Sequence, residues 1–260
     1  MIAQFSLRLV FGMSLMWAVM PRREVTSGFF RIQMLVTLGL SVLSALSVGR
    51  LTGAGIETEP EAASGSYGAL VGLCATLGVV SFLGSVFWTL ERRRAGTITI
   101  FIMSVLSAGA LLYASLLSST QETDRVLLLL SEVSAATMLG AATTGMLLGH
   151  WYLTAPGMKL APLNKLNLYF GVAVAARLLI SALALYSARG TPLSDVQWIW
   201  LGLRWAAGIA GPIAVVWMVW RILKYRNTQA ATGVLFVGVI LTFIGEMTSS
   251  LLFGALGRSL

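Results

Sequence analysis

Residues 126–153, VLLLLSEVSAATMLGAATTGMLLGHWYL, decide the fold, because they form one long apolar run with a single carboxylate, Glu132, inside it. A helix needs about 20 such residues to cross the hydrocarbon of a bilayer. The whole chain of 260 residues is 57% hydrophobic and 11% charged, with a mean hydropathy of +0.84. Soluble domains carry about a quarter charged residues, so the composition predicts an integral membrane protein.

Seven further stretches are apolar and long enough to span the bilayer. Together they predict an all-α integral membrane protein, a bundle of eight transmembrane helices in a single membrane domain that covers residues 1–260. The predicted spans are 2–20, 29–48, 67–90, 96–118, 126–153, 167–187, 198–222 and 229–254. Between them, the stretch from Gly49 to Tyr67 is rich in Gly, Ser and Glu and is expected to be a solvated connection without a core of its own.

The basic residues alternate from one connection to the next. Those after helices 1, 3, 5 and 7 hold eleven, namely Arg22, Arg23, Arg31, Arg92, Arg93, Arg94, Lys159, Lys165, Arg221, Lys224 and Arg226. The other connections and the C-terminal tail hold four, Arg50, Arg125, Arg189 and Arg258, and most of the loop acids: Glu57, Glu59, Glu61, Glu122, Asp124 and Asp195. The positive-inside rule then predicts a cytoplasmic (inner) membrane protein with both termini outward. The same rule accounts for the net charge of +8, so nucleic acid is not an expected partner.

Five pairs of residues recur at nearly constant offsets of 134, 135, 134, 132 and 132 residues. The pairs are Trp17 and Trp151, Pro21 and Pro156, Arg31 and Lys165, Trp88 and Trp220, and Arg94 and Arg226. They suggest two parallel four-helix repeats, residues 1–125 and 126–260. Coincidence is the alternative, because Trp, Pro and Arg all favour cytoplasmic helix ends.

Five ionisable residues lie inside the apolar spans: Arg8, Glu132, Arg177, Arg204 and Glu246. Each is costly in hydrocarbon and needs a partner, a water-filled cavity or a function. With a rise of about 1.5 Å per residue, the last four lie roughly 9 to 15 Å from the outer ends of four consecutive helices. Ion pairing between helices is one interpretation. The other is an outward-facing site in which the arginines bind an anion or carbonyl and a glutamate carries a proton. Arg8 is weaker evidence, because a long side chain near a helix end can snorkel to the headgroups.

The fifth helix shows two different faces. Glu132 and His150 are five full turns apart on one side, and Thr143 lies close to the same line. Small residues that permit close helix packing occupy the other side, namely Ala141, Gly145 and Gly149. His150 begins a His-Trp-Tyr sequence at the cytoplasmic end, so an interfacial histidine is the alternative to a proton-entry or ligand role.

The seventh helix places Arg204 and Trp205 above Gly208 and Gly211, followed by Pro212. Proline removes a backbone donor, so we expect a kink there. The glycine-lined groove beneath Arg204 is expected to receive either a ligand or a neighbouring helix. Trp205 would stack on a flat ligand or on Arg204, whereas the helix's other tryptophans are expected to form aromatic belts.

Several chemistries have no residues to perform them. A single cysteine, Cys74, and a single histidine, His150, exclude a cysteine-based metal site and a bis-histidine haem held by this chain. No phosphate loop, zinc-protease helix or nucleophile elbow occurs, so an enzyme acting alone is not expected. No metal or cofactor is predicted, although a quinone or lipid could bind.

Three functions fit this pattern. The first is a small-solute or proton-coupled transporter or permease. The second is a cofactor-free, quinone-interacting membrane subunit of a respiratory or other multi-subunit complex, since the layout of two four-helix halves is similar to that of the haem-free NrfD-type subunits. The third is a structural membrane subunit. The lipid bilayer is the expected partner, with other membrane subunits or a second copy of the chain as further candidates.

Overall fold

The computed structural model of the chain describes residues 1–53, 61–118, 125–155, 157–187 and 193–256, with only the backbone course given for residues 50–53 and 61–64. It confirms an all-α bundle of eight helices that are long and apolar enough to cross a membrane, with no strand in the described ranges. The helices are α1 (Ile2–Val19), α2 (Ser27–Gly53), α3 (Glu61–Thr89), α4 (Arg93–Leu117), α5 (Arg125–Thr154), α6 (Ala161–Ser187), α7 (Asp195–Lys224) and α8 (Thr228–Leu256). A short 3₁₀ turn, Arg22–Glu24, joins α1 to α2.

The two helices on either side of the expected connection from Gly49 to Tyr67 are longer than the apolar pattern predicts. Helix α2 continues to Gly53 and α3 already begins at Glu61, since an apolar run marks only the part of a helix that is suited to hydrocarbon. Several residues used to predict the topology lie outside the described residues, namely Glu57, Glu59, Glu122, Asp124, Arg189 and Arg258, as does Pro156 of the predicted repeat. The orientation of the termini stays a prediction.

The first compact unit is Met1–Ser118. In it α1 packs against α2 and α4, and α3 packs against the same two helices, so the four helices form a closed ring. Buried hydroxyl pairs add polar contacts between neighbours, with oxygens 3.3 Å apart for Ser14 and Ser107 and 3.0 Å apart for Thr37 and Ser81. Such short polar residues allow close helix packing in an apolar solvent.

The second compact unit is Ser119–Leu260. Here α5 packs against α6 and α8, and α7 packs against α6 and α8, which is the same cyclic order. The small residues of α5 face α8, as expected. A methyl group added at Gly145 would lie 3.6 Å from Leu235, and one added at Gly149 would lie 2.6 Å from the hydroxyl of Thr232.

Helix α7 changes its winding in the middle. It is α-helical over Asp195–Trp205, forms a π turn over Ala206–Ala210 and is α-helical again over Gly211–Lys224. Pro212 explains the position of the turn, because its ring displaces the carbonyl four residues earlier and it has no N–H to donate. The irregularity expected at Pro212 therefore lies in the residues directly before it.

Side-chain caps are seen at the starts of α7 and α8. The Asn227 side chain accepts a hydrogen bond from the Ala230 backbone N–H at 3.0 Å and so caps the start of α8. Before α7, Ser194 and Gln197 form a reciprocal capping box.

The ends of α3 and α7 share a backbone feature. Glu91 and Arg226 both adopt positive φ, at 53° and 55°, just after the helix ends. They are 135 residues apart, whereas the sequence pairs beside them, Trp88 with Trp220 and Arg94 with Arg226, are 132 apart, so the two left-handed residues do not occupy equivalent positions of the predicted repeat. The internal repeat stays a prediction.

Candidate functional site

The centre of the second unit is a two-point ion pair between α6 and α8. Arg177 donates from Nε to Glu246 Oε1 at 2.8 Å and from Nη2 to Glu246 Oε2 at 2.7 Å. The two side chains are 1% and 3% exposed. A bidentate guanidinium–carboxylate pair is the geometry in which a buried charge pair is best compensated.

The remaining donors of Arg177 are also used. Nη1 donates to the backbone oxygen of Ser131 at 3.1 Å and to its hydroxyl at 2.7 Å, with Ser134 Oγ further away at 3.4 Å. Nη2 additionally reaches Ser249 Oγ at 3.4 Å. Arg177 therefore connects α5, α6 and α8. Sequence reasoning missed the serines, although Ser131 stands beside Glu132 and Ser249 three residues after Glu246.

Arg204 contributes a second contact to α6. Its Nη2 donates to Ser181 Oγ at 2.8 Å, and both side chains are buried. Ser181 is one turn after Arg177 on α6, so Arg204 reaches from α7 to the same face of α6 that carries Arg177. Glu132, next to Ser131 on α5, is buried as well. The second unit thus buries two arginines and two glutamates whose formal charges cancel.

Arg8 belongs to the first unit and is 7% exposed. Its side chain is buried within the protein, so the snorkelling that the sequence allowed is not what the structure shows. Because it lies in a separate compact unit, Arg8 is considered apart from the cluster formed by Glu132, Arg177, Arg204 and Glu246.

A helix fills the groove below Arg204. A methyl group at Gly208 would lie 2.9 Å from the Gly245 Cα, and one at Gly245 would lie 2.1 Å from the Gly208 Cα. At Gly211 the same addition would meet Leu241 at 2.8 Å. Of the two occupants expected for this groove, the structure places α8 there, with Gly245 directly before Glu246. Trp205 is half-buried.

The polar line along α5 does not continue through the interior. Glu132 is buried, Thr143 is half-buried and His150 is exposed at the end of the helix. His150 is exposed near the helix end, which is where an interfacial histidine would lie. In the described part of the chain, neither Thr143 nor His150 is hydrogen-bonded to the Arg177–Glu246 pair.

A separate groove lies between α6 and the second half of α7. Its volume is about 950 Å³ and its walls include Asn167, Gly171, Trp217 and Trp220. Asn167 donates to the Val216 backbone oxygen at 3.1 Å, while its buried Oδ1 has no donor within the described part of the chain. Sequence reasoning treated these tryptophans as belt residues and did not find the groove.

The fold and the buried polar cluster define a multi-pass, all-α membrane protein. In comparisons with protein-family models, curated proteins and solved structures, no match to this chain is found.

Proposed function

We propose that the chain is a small-solute or proton-coupled permease whose transport site lies in the second unit. The observation that carries this proposal is the interruption of α7. Its π turn, Ala206–Ala210, begins two residues after the buried Arg204, at the level where Gly208 packs against Gly245. Transporters commonly place ion and substrate sites at interrupted helices, and π turns are frequent at functional sites.

The four ionisable side chains divide into two roles in this proposal. Arg177 and Glu246 form a structural support that holds helices together. Two hydrogen bonds join their side chains, and Arg177 is fully hydrogen-bonded. Glu132 is the carboxylate that exchanges a proton, and Arg204, at the interrupted part of α7, responds to its change of charge. An intramembrane ionisable residue facing a bundle interior is a reasonable candidate for such a relay.

Proton flux tests the proposal. The purified chain is reconstituted into liposomes that contain a pH-sensitive dye, and a potassium gradient with valinomycin sets the membrane potential. We expect the internal pH of these liposomes to change faster than that of empty liposomes, and we expect Glu132→Gln to lose this difference. Glu91→Gln, an exposed carboxylate in the connection after α3, is the control and should keep the wild-type rate. A wild-type rate equal to that of empty liposomes would contradict proton coupling.

The α6–α7 groove favours a quinone-interacting subunit as a second candidate. The groove is mostly apolar, and the Asn167 Oδ1 can accept a hydrogen bond from a quinol hydroxyl. It lies at the end of α7 away from Arg204, so this candidate quinone position is separate from the buried charged cluster. Quenching of tryptophan fluorescence by a short-chain quinone is the test. The quenching should fall in Trp217→Phe and Trp220→Phe and stay unchanged in Trp198→Phe, at the other end of α7.

The full hydrogen bonding of Arg177 supports the third function, a structural membrane subunit whose charges hold helices together. Partner subunits that copurify after mild detergent extraction would favour the subunit proposals. For each function we propose an inner-membrane location with both termini outward, on the basis of the basic connections after α1, α3, α5 and α7.

A further inference from the structure

A pocket of about 770 Å³ lies at one end of the first unit, where α1 and α3 end and α4 begins. Its lining includes four arginines and one glutamate, so its formal charge is positive. These residues are Arg22, Arg23, Arg93, Arg94 and Glu24. The buried charges of the second unit cancel, whereas the charges around this pocket do not.

The start of α4 increases the positive potential. The N-cap residue, Arg92, makes no side-chain cap, and the first turn contains no acidic residue. A helix N-terminus carries a partial positive charge and prefers an anion. This 25-residue helix instead begins with Arg93 and Arg94, which face the pocket. An anion in the pocket would interact favourably with the helix N-terminus and would offset the repulsion between that terminus and the two arginines.

Arg22 is held in place before any ligand binds. It donates from Nη1 to the Trp17 backbone oxygen at 2.9 Å and also to that of Ala18, and its guanidinium lies 5.1 Å from the centre of the Phe101 ring. Partial burial lowers the pKa of Arg22, which means that its charge has lost part of its hydration. A desolvated, fixed guanidinium is a strong partner for a phosphate oxygen.

The wall of the pocket also contains unsatisfied polar atoms. Trp88 is 2% exposed, and its Nε1–H has no acceptor within the described part of the chain. The buried Oε2 of Glu24 likewise has no donor there. Both residues line the pocket, and a rotation of either side chain would bring its polar atom to an oxygen-rich ligand that also bears a hydroxyl.

We propose that this basic pocket binds a phosphate group, supplied by the headgroup of an anionic phospholipid. The lipid source is favoured by the surface that continues from the pocket along α4, where Ile98, Ile102 and Val105 are exposed on one face. Acyl chains can lie along these side chains while the phosphate contacts the arginines. Basic pockets at helix ends are known to recognise anionic headgroups in this way.

Native mass spectrometry of the full chain in neutral detergent tests the proposal. The probes are phosphatidylglycerol, which carries a phosphate and hydroxyls, and phosphatidylcholine, which carries no net charge. The test variant is Arg93→Gln with Arg94→Gln. The matched control is Arg31→Gln with Arg92→Gln, which removes the same charge from exposed positions near the same end but outside the pocket.

We expect the wild type to retain phosphatidylglycerol in preference to phosphatidylcholine, and the test variant to lose affinity by about tenfold or more. The control should stay close to the wild type. Equal loss in both double variants, or no preference for phosphatidylglycerol, would overturn the proposal, because it would show only general attraction to positive charge. Circular dichroism of both variants checks that they remain folded.

A second arm identifies the source of the phosphate. Thermal unfolding is measured with inorganic phosphate and with glycerol phosphate. If neither stabilises the wild type while phosphatidylglycerol is retained, the ligand is the lipid. If soluble phosphate stabilises the wild type and not the Arg93→Gln/Arg94→Gln variant, the pocket takes a free phosphate instead. If no phosphate compound distinguishes the two proteins, the site does not exist.

Discussion

At the scale of single residues, the second unit is organised around one guanidinium. Arg177 binds Glu246 through two nitrogens and uses its other donors on serines of α5 and α8. In hydrocarbon an unsatisfied donor costs several kcal/mol, so this complete satisfaction explains how a charge can remain 1% exposed. Arg204 makes one contact of this kind, from Nη2 to the Ser181 hydroxyl.

Removing the Ser181 hydroxyl should be costly. We expect Ser181→Ala to lower the free energy of unfolding by about 2 kcal/mol, because a hydrogen bond to a buried charged group is lost. Ser187→Ala on the same helix is the control, since the Ser187 hydroxyl donates to the backbone oxygen of Ala184, in its own helix. Thermal or denaturant unfolding in detergent measures both, and equal stability of the two variants would mean that the Arg204 contact contributes nothing.

The charged residues could be predicted from the sequence, but their pairing could not. Arg177 and Glu246 stand out because ionisable residues in apolar spans are rare and expensive. Depth along the helices placed Glu246 near both Arg177 and Arg204, so depth alone does not choose the partner. The serines were missed because a serine in a membrane helix usually only permits close packing, and its contact with a distant arginine depends on helix rotation.

At the scale of helices, the contact between α7 and α8 is set by two glycines. Gly208 lies in the π turn and Gly245 precedes Glu246, and their backbones touch. The interruption of α7 and the position of Glu246 therefore depend on the same contact. A change in this packing would move the polar cluster.

A methyl group at this contact tests its importance. Gly245→Ala places Cβ 2.1 Å from the Gly208 Cα, so the helices must separate, and we expect a loss of about 2 kcal/mol in the free energy of unfolding. Gly233→Ala on the same helix is the control, because its methyl group would meet no atom within 4 Å among the described residues. Unfolding curves that place Gly245→Ala level with or above Gly233→Ala would contradict the packing.

The sequence predicted which segments are helices better than it predicted their details. Apolar length determined all eight spans, and the small residues of α5 correctly indicated a packing face. The π turn could not be predicted, because Pro212 shows only that the regular winding must fail nearby and neighbouring helices decide how. The extension of α2 and α3 beyond hydrocarbon was also missed, since hydropathy marks the apolar part of a helix and not its end.

At the scale of the whole molecule, each four-helix unit closes on itself in the same cyclic order, first helix against second and fourth. This shared order and the sequence offsets are both consistent with the predicted duplication. The two units differ in chemistry. The first has a basic pocket at one end. The second has a cluster of ionisable side chains in its interior whose formal charges cancel.

The predicted orientation can be measured with single cysteines. After Cys74→Ser removes the one native thiol, Ser194→Cys and Arg92→Cys are placed before α7 and after α3. We expect an impermeant maleimide added to intact cells to label the first and to label the second only after permeabilisation, because basic connections stay in the cytoplasm. The reverse labelling pattern would place both termini in the cytoplasm.

The proposed division of the cluster into a support and a proton carrier is tested most directly by proton flux in liposomes, compared between two variants. Arg177→Met with Glu246→Leu replaces the ion pair by apolar side chains, and such replacements often preserve stability. We predict that this double variant keeps the wild-type flux, whereas Glu132→Gln loses it. Flux that survives in Glu132→Gln, or that disappears in a folded and inserted Arg177→Met/Glu246→Leu variant, would contradict the account.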